Sequence, residues 1–139
     1  MHFTKEQNGE IVQRFNKEVI EQGNLESFKE LVSETCINHS APAGSSNGPE
    51  GMAYFLLEIL RKGFPDLKVE ILDQASENDK VTTRKIIHAT HSADFMGIVA
   101  SNKKVEIHIM DIIRLENGRY AEHWGMSNIE SIVKELSTT

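Results

Sequence analysis

The sequence predicts an α+β fold in which helices cover one face of an antiparallel sheet, and its apolar pattern carries the prediction. In the first part of the chain, apolar residues recur at three- and four-residue steps, the spacing of one helix face. After Pro65 they alternate with polar residues, as in half-buried strands. Consecutive hairpins imply an antiparallel sheet, and helices grouped at one end of the sequence imply that they cover one face of it.

Length and composition bound the class of protein. The 139 residues are 39% hydrophobic and 26% charged, with a formal net charge of −6, which fits one globular domain over residues 1–139. No apolar run approaches the roughly 18 residues of a membrane span, and the first residues carry no apolar stretch like that of a signal peptide. The single cysteine excludes an internal disulfide, and the acidic balance argues against a nucleic-acid binder. We therefore expect a soluble, cytoplasmic domain.

Two helices are expected at the start of the chain. Thr4 and Gln7 have the spacing of a capping box, and Gly23 suits a C-terminal stop. Asn24 then suits the N-cap of a second, short helix. Their buried faces consist of Ile11, Val12, Phe15, Val19 and Ile20 in the first helix and of Leu25, Phe28, Leu31 and Val32 in the second.

A loop and a third helix follow. Residues 38–51 contain three glycines and two prolines, which is typical of a mobile loop. Pro49 suits the first turn of a helix, where its missing N–H costs no hydrogen bond. Gly63 and Pro65 end this helix. Its buried stripe consists of Met52, Phe55, Leu56, Ile59 and Leu60.

Four strands and a last helix complete the predicted fold. Alternation begins near Leu67, a polar turn covers residues 77–80, and a β-branched run extends over residues 81–91. We expect a third strand over about 104–115 and a fourth over about 119–126, which completes an antiparallel meander. Ser127 or Asn128 then caps a short C-terminal helix.

The turn around Gly118 decides which residues of the last two strands share a face. A two-residue Asn-Gly turn places Asp111 opposite Trp124, whereas a three-residue loop with Gly118 as the left-handed residue places Asp111 opposite His123. We favour the second register, because one face is then apolar apart from a single carboxylate–imidazole pair. The other face then carries Glu106, His108, Met110, Ile112, Arg114, Glu122 and Trp124.

An Asp111–His123 pair is suited to proton transfer. Residues directly opposite across two strands have Cβ atoms about 5 Å apart. The carboxylate would fix the imidazole tautomer and raise the pKa of the imidazole, giving a group that exchanges protons near neutral pH. The alternative is a buried polar pair that only fixes the strand register.

Four other features have a structural explanation beside a functional one. His39 begins the loop, where it either reaches into a pocket or is simply exposed. His88 and His91 are three apart on one strand, so they face opposite ways and cannot share a metal. Cys36 has no basic neighbour in sequence, which favours an inert buried thiol. Trp124, on the mixed polar and apolar face, indicates a subunit interface there.

These pieces together resemble a known family. Helices followed by a meander, with residues 114–119 (Arg-Leu-Glu-Asn-Gly-Arg) leading into Glu122-His123-Trp124, are similar to the SnoaL-like polyketide cyclases, also called predicted ester cyclases. These belong to the nuclear transport factor 2-like superfamily. The resemblance covers about residues 8 to 130 and includes His39, Gly48-Pro49-Glu50-Gly51, Gly63-Phe64-Pro65-Asp66, Ala89-Thr90-His91, Phe95-Met96-Gly97-Ile98 and Ala100-Ser101-Asn102-Lys103.

The resemblance implies a fold and a chemistry. The fold is a cone-shaped, curved antiparallel sheet wrapped around the N-terminal helices (nuclear transport factor 2-like or cystatin-like), with a mostly apolar cavity and dimers formed through the outer sheet face. In the characterised cyclases an aspartate just after the histidine of the last strand is the acid/base of an intramolecular aldol closure. That position is Gly125 here, within His123-Trp124-Gly125-Met126-Ser127-Asn128 where members often show His-Trp-Asp-x-x-Asp. A second cavity residue, from the preceding strand, falls on Asp111.

We therefore expect a cavity protein for a small, apolar, carbonyl-bearing molecule, with proton transfer (cyclisation, isomerisation or hydration) as its candidate reaction. Asp111 and His123 are the candidate catalytic residues. The side chains expected to contact the molecule are His39, Phe55, His91, Ile107, Ile109 and Ile113, together with the backbone of Gly125. We expect neither a cofactor nor a metal, and no nucleic acid or membrane as partner.

Two alternatives stay open. The first is a non-catalytic ligand-binding or dimerisation module, because Gly125 stands at the family's catalytic position and glycine cannot transfer protons. A purely structural dimer with a collapsed core would lack any cavity of the roughly 300 Å³ that a ligand needs.

Overall fold

A computed structural model describes residues 3–138 of the chain. Within these residues, four helices and five strands make up the fold. Helix α1 is α-helical over Lys5–Arg14 and continues as a π-helix over Phe15–Glu21, and α2 spans Leu25–Leu31. Helix α3 runs through Pro49–Ala53, Tyr54–Leu60 and Arg61–Gly63, and α4 spans Ile129–Ser137. The strands are β1 (Val32–Asn38), β2 (Lys68–Glu77), β3 (Lys80–Thr90), β4 (Lys104–Glu116) and β5 (Arg119–Ser127).

Local sequence signals set the ends of the first two helices as predicted. The Thr4 hydroxyl accepts from the backbone N–H of Gln7, whose side chain accepts from the backbone of Thr4, so the capping box is present. Asn24 caps α2 through the backbone N–H of Ser27. Gly23 joins the two helices at φ +70°, a conformation that glycine adopts without strain.

The sheet is curved and has the order β1-β5-β4-β3-β2. Strands β2 to β5 form the predicted antiparallel meander. Strand β1 is an addition, since it pairs in parallel with β5 over residues that we expected to lie at a helix end. The α+β prediction is confirmed, and the sheet is mixed rather than wholly antiparallel.

The β4–β5 turn corrects the predicted register. Glu116 pairs with Arg119, so the turn has two residues, Asn117 and Gly118. Both have positive φ (54° and 77°), as in the type I′ turn whose twist matches that of the strands. The three-residue loop that we favoured is therefore wrong.

A bulge then shifts the pairing by one residue. Arg114 pairs with Glu122 beyond the shift, which leaves Ala121 as the extra residue of β5. Asp111 consequently lies opposite Gly125 and not His123. The predicted division of side chains between the two faces is nevertheless correct. The shorter turn moves the pairing by one residue and the bulge moves it by one more, so each side chain stays on its predicted face.

The helices pack on the inner face of the sheet. Helix α1 contacts β2 and β3, α2 contacts β1 and β5, and α4 contacts β4. Between them lies a core that includes Val12, Phe15, Val19, Phe28, Leu31, Val81, Ile87, Ile107, Ile113, Leu115, Tyr120 and Leu136. Within residues 3–138 no helix is long and apolar enough to cross a membrane.

Candidate functional site

A buried carboxylate lies at the centre of the inner sheet face. Asp111 is only 6% exposed and points inward from β4. Its Oδ2 atom lies 3.3 Å from the Nζ atom of Lys85 and 3.6 Å from the Nε2 atom of His123. A buried charge is tolerated only when it is paired, and these two side chains supply the pairing.

The environment keeps this carboxylate ionised. Burial by itself raises the pKa of Asp111, but the positive charge of Lys85, followed by the hydrogen bond and charge of His123, outweighs burial. The pKa of Asp111 therefore lies below its ordinary value. A carboxylate with a lowered pKa is a weak base, which makes Asp111 better suited to stabilise a neighbouring cation than to take up a proton.

Lys85 connects the carboxylate to helix α1. It is 4% exposed, and its ammonium group donates to the Oδ1 atom of Asn16 at 2.6 Å. The amide of Asn16 in turn donates to the carbonyl of Val12 at 2.8 Å. Sequence reasoning missed both residues, although Lys85 occupies an inward position in the alternation of β3 and could have been noticed there.

His123 is held from its other side by the unpredicted strand. Its Nδ1 atom lies 2.8 Å from the Oδ1 atom of Asn38, which pairs with it between β1 and β5. With the Asn38 oxygen accepting, Nδ1 carries a hydrogen, and Nε2 is the nitrogen that faces Asp111. An imidazolium in this position donates towards both Asn38 and Asp111, and the ring orientation needs no change on protonation.

Gly125 makes room for this imidazole. A Cβ at position 125 would lie 2.8 Å from Cε1 and 3.1 Å from Nε2 of His123, closer than van der Waals contact allows. Ser40 also holds the backbone here, since its hydroxyl accepts from the Gly125 N–H at 2.6 Å and donates to the Gly125 carbonyl at 3.0 Å. The missing side chain at position 125 is thus part of the site's geometry.

His39 lies on the outer face of the sheet. Its ring stacks on Trp124 at a centroid distance of 4.7 Å and an angle of 7°. Its Nε2 atom lies 2.7 Å from Glu122, which also receives a hydrogen bond from Arg114. The structure therefore does not bring His39 to Asp111.

His91 is buried at a different place. It follows the end of β3, is 0% exposed, and lies 5.8 Å from the Phe64 ring between centroids. Its Nδ1 atom accepts from the Ser101 backbone, which leaves a hydrogen on Nε2 that has no partner within the described part of the chain. Six residues of strand, roughly 20 Å, separate it from Lys85, so it is also remote from Asp111.

Three of the other predicted contact residues share the inner face of β4 with the carboxylate. Ile109 and Ile113 flank Asp111 on the inner face of β4, and Ile107 continues the same row. Ile107 and Ile113 are fully buried, whereas Ile109 and Phe55 are partly exposed and pack against the core. The three isoleucines give this face of β4 an apolar character around Asp111.

Two open recesses lie elsewhere on the molecule. One, of about 630 Å³, is lined by Phe3, Lys5, Asn8, Asn78, Asp79, Leu115 and Asn117. The other, of about 510 Å³, is lined by Asp66, Lys68, His88, Ala89, Thr90, Lys104, Val105 and Glu106. Neither is lined by Asp111 or His123. Among residues 3–138 no cluster of three or more His, Cys, Asp or Glu side chains is arranged to hold a metal ion.

Comparison with known proteins decides the family. The model of the SnoaL-like polyketide cyclase family matches residues 10–136. The chain belongs to this family. This match confirms the predicted resemblance. Curated protein sequences give no significant match.

Solved structures share this SnoaL-like fold over nearly the whole chain. A candidate SnoaL-like polyketide cyclase from Jannaschia sp. CCS1 superposes with a TM-score of 0.84 at 22% identity, covering 100% of this chain and 99% of the other. TsrD from Streptomyces laurentii gives 0.85 at 18% identity, covering 99% and 100%. IdmH from Streptomyces antibioticus, a candidate polyketide cyclase, gives 0.80 at 25% identity, covering 95% and 99%.

Proposed function

We propose that this SnoaL-like protein binds a small, largely apolar, carbonyl-bearing molecule and catalyses a proton transfer on it, as in cyclisation, isomerisation or hydration. His123 is the general base, and Asp111 is the buried anion that stabilises its protonated form. The observation that carries the proposal is the placement of His123 Nε2 3.6 Å from a carboxylate that Lys85 keeps ionised. Family membership and the similarity to IdmH support the substrate class.

In the proposed reaction, His123 removes one proton from the substrate and later returns it. Nε2 of His123 accepts the proton from the carbon next to a carbonyl, and the electron pair of the broken C–H bond passes into an enolate. The enolate carbon attacks a second carbonyl of the same molecule, and the resulting alkoxide takes the proton back from His123. General acid–base help of this kind is typically worth 10²- to 10⁴-fold. Gly125 supplies none of it, so His123 takes the role that the family's aspartate has.

The surroundings of the pair suit such a substrate. The side chain of His123 is 22% exposed, whereas that of Asp111 is 7% exposed, so the base is the more accessible of the two. Ile109, two residues from Asp111 on the same face of β4, is apolar and only partly buried, which leaves surface for a ligand to cover. The proposal includes a cavity beside Asp111 and His123, which the bound ligand would occupy.

Turnover of simple polyketide-like diketones and triketones by three variants tests the proposal. We expect His123→Gln and Asp111→Asn to lower kcat by at least about 100-fold, while His108→Gln, on the outer face of β4, leaves it unchanged. Turnover that is unaffected by His123→Gln would contradict the role of His123. Calorimetric titration of the same compounds measures binding separately.

A second candidate, a non-catalytic ligand-binding module, is favoured by Gly125 alone. It predicts saturable binding of the same compounds with no chemical change and with no dependence of affinity on the protonation of His123. Product analysis after prolonged incubation at saturating protein separates the two functions.

We also propose that two copies associate through the outer face of the sheet. Met110, Ile112 and Met126 are 48%, 37% and 77% exposed there, and Trp124 lies directly opposite Ile112 on the neighbouring strand. Exposed apolar side chains grouped around a tryptophan are typical of subunit interfaces.

A further inference from the structure

Four elements of the fold meet in one buried polar chain that runs beyond the two proposed catalytic residues. It begins at α1, where Asn16 receives the ammonium hydrogen bond of Lys85 at 2.6 Å. It continues from Lys85 on β3 to Asp111 on β4 and from there to His123 on β5. Lys85 is 4% exposed and cannot be an ordinary surface lysine that happens to lie near a carboxylate.

We propose that Lys85 is a positioning residue, which fixes the Asp111 carboxylate beside His123 and supplies the charge that balances Asp111 when His123 has given up its proton. This inference rests on the proposed function only for the use of that proton. Lys85 touches no substrate in this scheme, and it acts through Asp111.

Charge balance in the buried cluster supports the proposal. In the absence of Lys85, Asp111 and His123 would have to retain one proton between them, because losing it would leave a single uncompensated buried anion. With Lys85 present, a neutral His123 beside ionised Asp111 leaves the cluster with no net charge. The imidazole can then cycle between its two forms, as a general base must.

Geometry makes the arrangement specific. An ammonium group has three hydrogens, and Asn16 engages one of them, so the nitrogen is held in place rather than free to turn away. Both Lys85 and His123 approach the same oxygen, Oδ2, while Oδ1 of Asp111 has no hydrogen-bond partner among residues 3–138. The carboxylate is therefore oriented by Oδ2 alone, and removal of either cation changes its direction.

Two other titratable groups lie near the cluster. Burial, followed by the charge of Asp111, raises the pKa of the Tyr120 phenol well above its ordinary value. Burial also raises the pKa of the Cys36 thiol to about 11. Both groups are neutral between pH 5 and 9, so neither adds a charge to the cluster in that range.

The experiment is an NMR titration of the His123 imidazole in the substrate-free protein labelled with ¹⁵N-histidine, with the signal assigned through His123→Gln. We expect Lys85→Met and Lys85→Gln to raise the midpoint of the Asp111–His123 pair by about one pH unit, a tenfold tighter hold on the proton. Lys85→Arg, which keeps the charge, should restore most of the wild-type midpoint. Lys80→Met, an exposed lysine on the same strand, is the matched control and should leave it unchanged.

A midpoint in Lys85→Met or Lys85→Gln equal to that of Lys80→Met, in protein with a native circular-dichroism spectrum, would overturn the inference. The titration needs no substrate, so it is independent of the proposed function. Absence of turnover with every compound contradicts the proposed function alone, and an unmoved midpoint contradicts the role of Lys85 alone.

Discussion

The imidazole of His123 occupies the space in which a side chain at Gly125 would begin. A Cβ there would approach Cε1 of His123 to 2.8 Å. Family resemblance implies an aspartate at this position, directly across the strand pair from Asp111. An aspartate at 125 and the present orientation of His123 are therefore mutually exclusive, and the two sites represent alternative ways of placing one proton-transfer group.

Restoring the family residue should disrupt this site rather than improve it. Gly125→Asp displaces the imidazole and places two carboxylates opposite each other, an arrangement that raises the pKa of one of them. We expect a loss of about 1–3 kcal/mol in the free energy of unfolding, measured by urea denaturation, and loss of the His123–Asp111 contact in NMR spectra. Gly125→Ala adds the crowding without the charge and should cost about 1 kcal/mol or less, because a mobile side chain can turn aside. Equal stability of Gly125→Asp and wild type would contradict the placement of His123.

The sequence allowed the faces of the sheet to be predicted but not the pairing within it. Caps and alternation are local, and Thr4, Asn24 and the inward row of β4 follow from them. The register depends on Ala121, which is small and apolar and fits a regular strand or a bulge equally well. One residue of shift was enough to exchange the partner of Asp111.

The partners of the candidate site depend on contacts between distant segments. Lys85 reaches Asp111 only through the β3–β4 register, and Asn38 reaches His123 only because β1 joins the sheet next to β5. Parallel pairing between segments about 85 residues apart leaves no local pattern. The family resemblance supplied Asp111, yet it could not supply residues that distinguish this chain from other members.

Removing one partner of the buried Lys85–Asp111 ion pair should lower the free energy of unfolding more than removing both partners. Lys85→Met leaves Asp111 partly unpaired, and we expect a loss of about 3–5 kcal/mol in the free energy of unfolding. The double variant Lys85→Met with Asp111→Leu removes both charges and should recover most of that loss. Denaturant unfolding of the two variants at pH 7 measures the difference. If the double variant is no more stable than Lys85→Met, the Lys85–Asp111 pair does not account for the loss.

Acid should weaken the protein partly through Asp111. Because the pKa of Asp111 is lower in the folded chain than in the unfolded one, its stabilising contribution is complete above about pH 4 and disappears as the pH falls through the lowered folded pKa. The stability difference between wild type and Asp111→Asn should therefore narrow below about pH 4. Surface carboxylates titrate in both proteins and cancel in this difference. Parallel stability curves from pH 7 to pH 3 would show that Asp111 is not held ionised by the fold.

The outer face of the sheet offers a direct test of association. Met126 is 77% exposed on β5, where its side chain contributes little to the fold of one copy. Met126→Lys together with Met110→Lys should weaken a dimer at least about tenfold, since each charge would be buried at the contact and would repel its counterparts. Analytical ultracentrifugation across a concentration series measures it, with Met96→Lys, on the exposed 95–98 turn, as the control. A dimer constant unchanged by the two outer-face substitutions would place any association elsewhere.

High pH should destabilise the protein partly through Cys36, the single cysteine of the sequence. Burial, followed by the charge of Glu122, raises the pKa of Cys36 to about 11 in the folded chain. A thiol in the unfolded chain ionises near pH 8.5, so the contribution of Cys36 is present below that pH and is lost as the pH rises towards 11. We expect wild type to lose up to about 3 kcal/mol more than Cys36→Ala between pH 8 and pH 11, and the Cys36 thiol to resist alkylation at pH 8 until the protein unfolds. Lysines and tyrosines titrate in both proteins and drop out of the comparison. Rapid alkylation of the native protein at pH 8 would show instead that Cys36 is reachable from solvent, and the alkaline loss would then have another source.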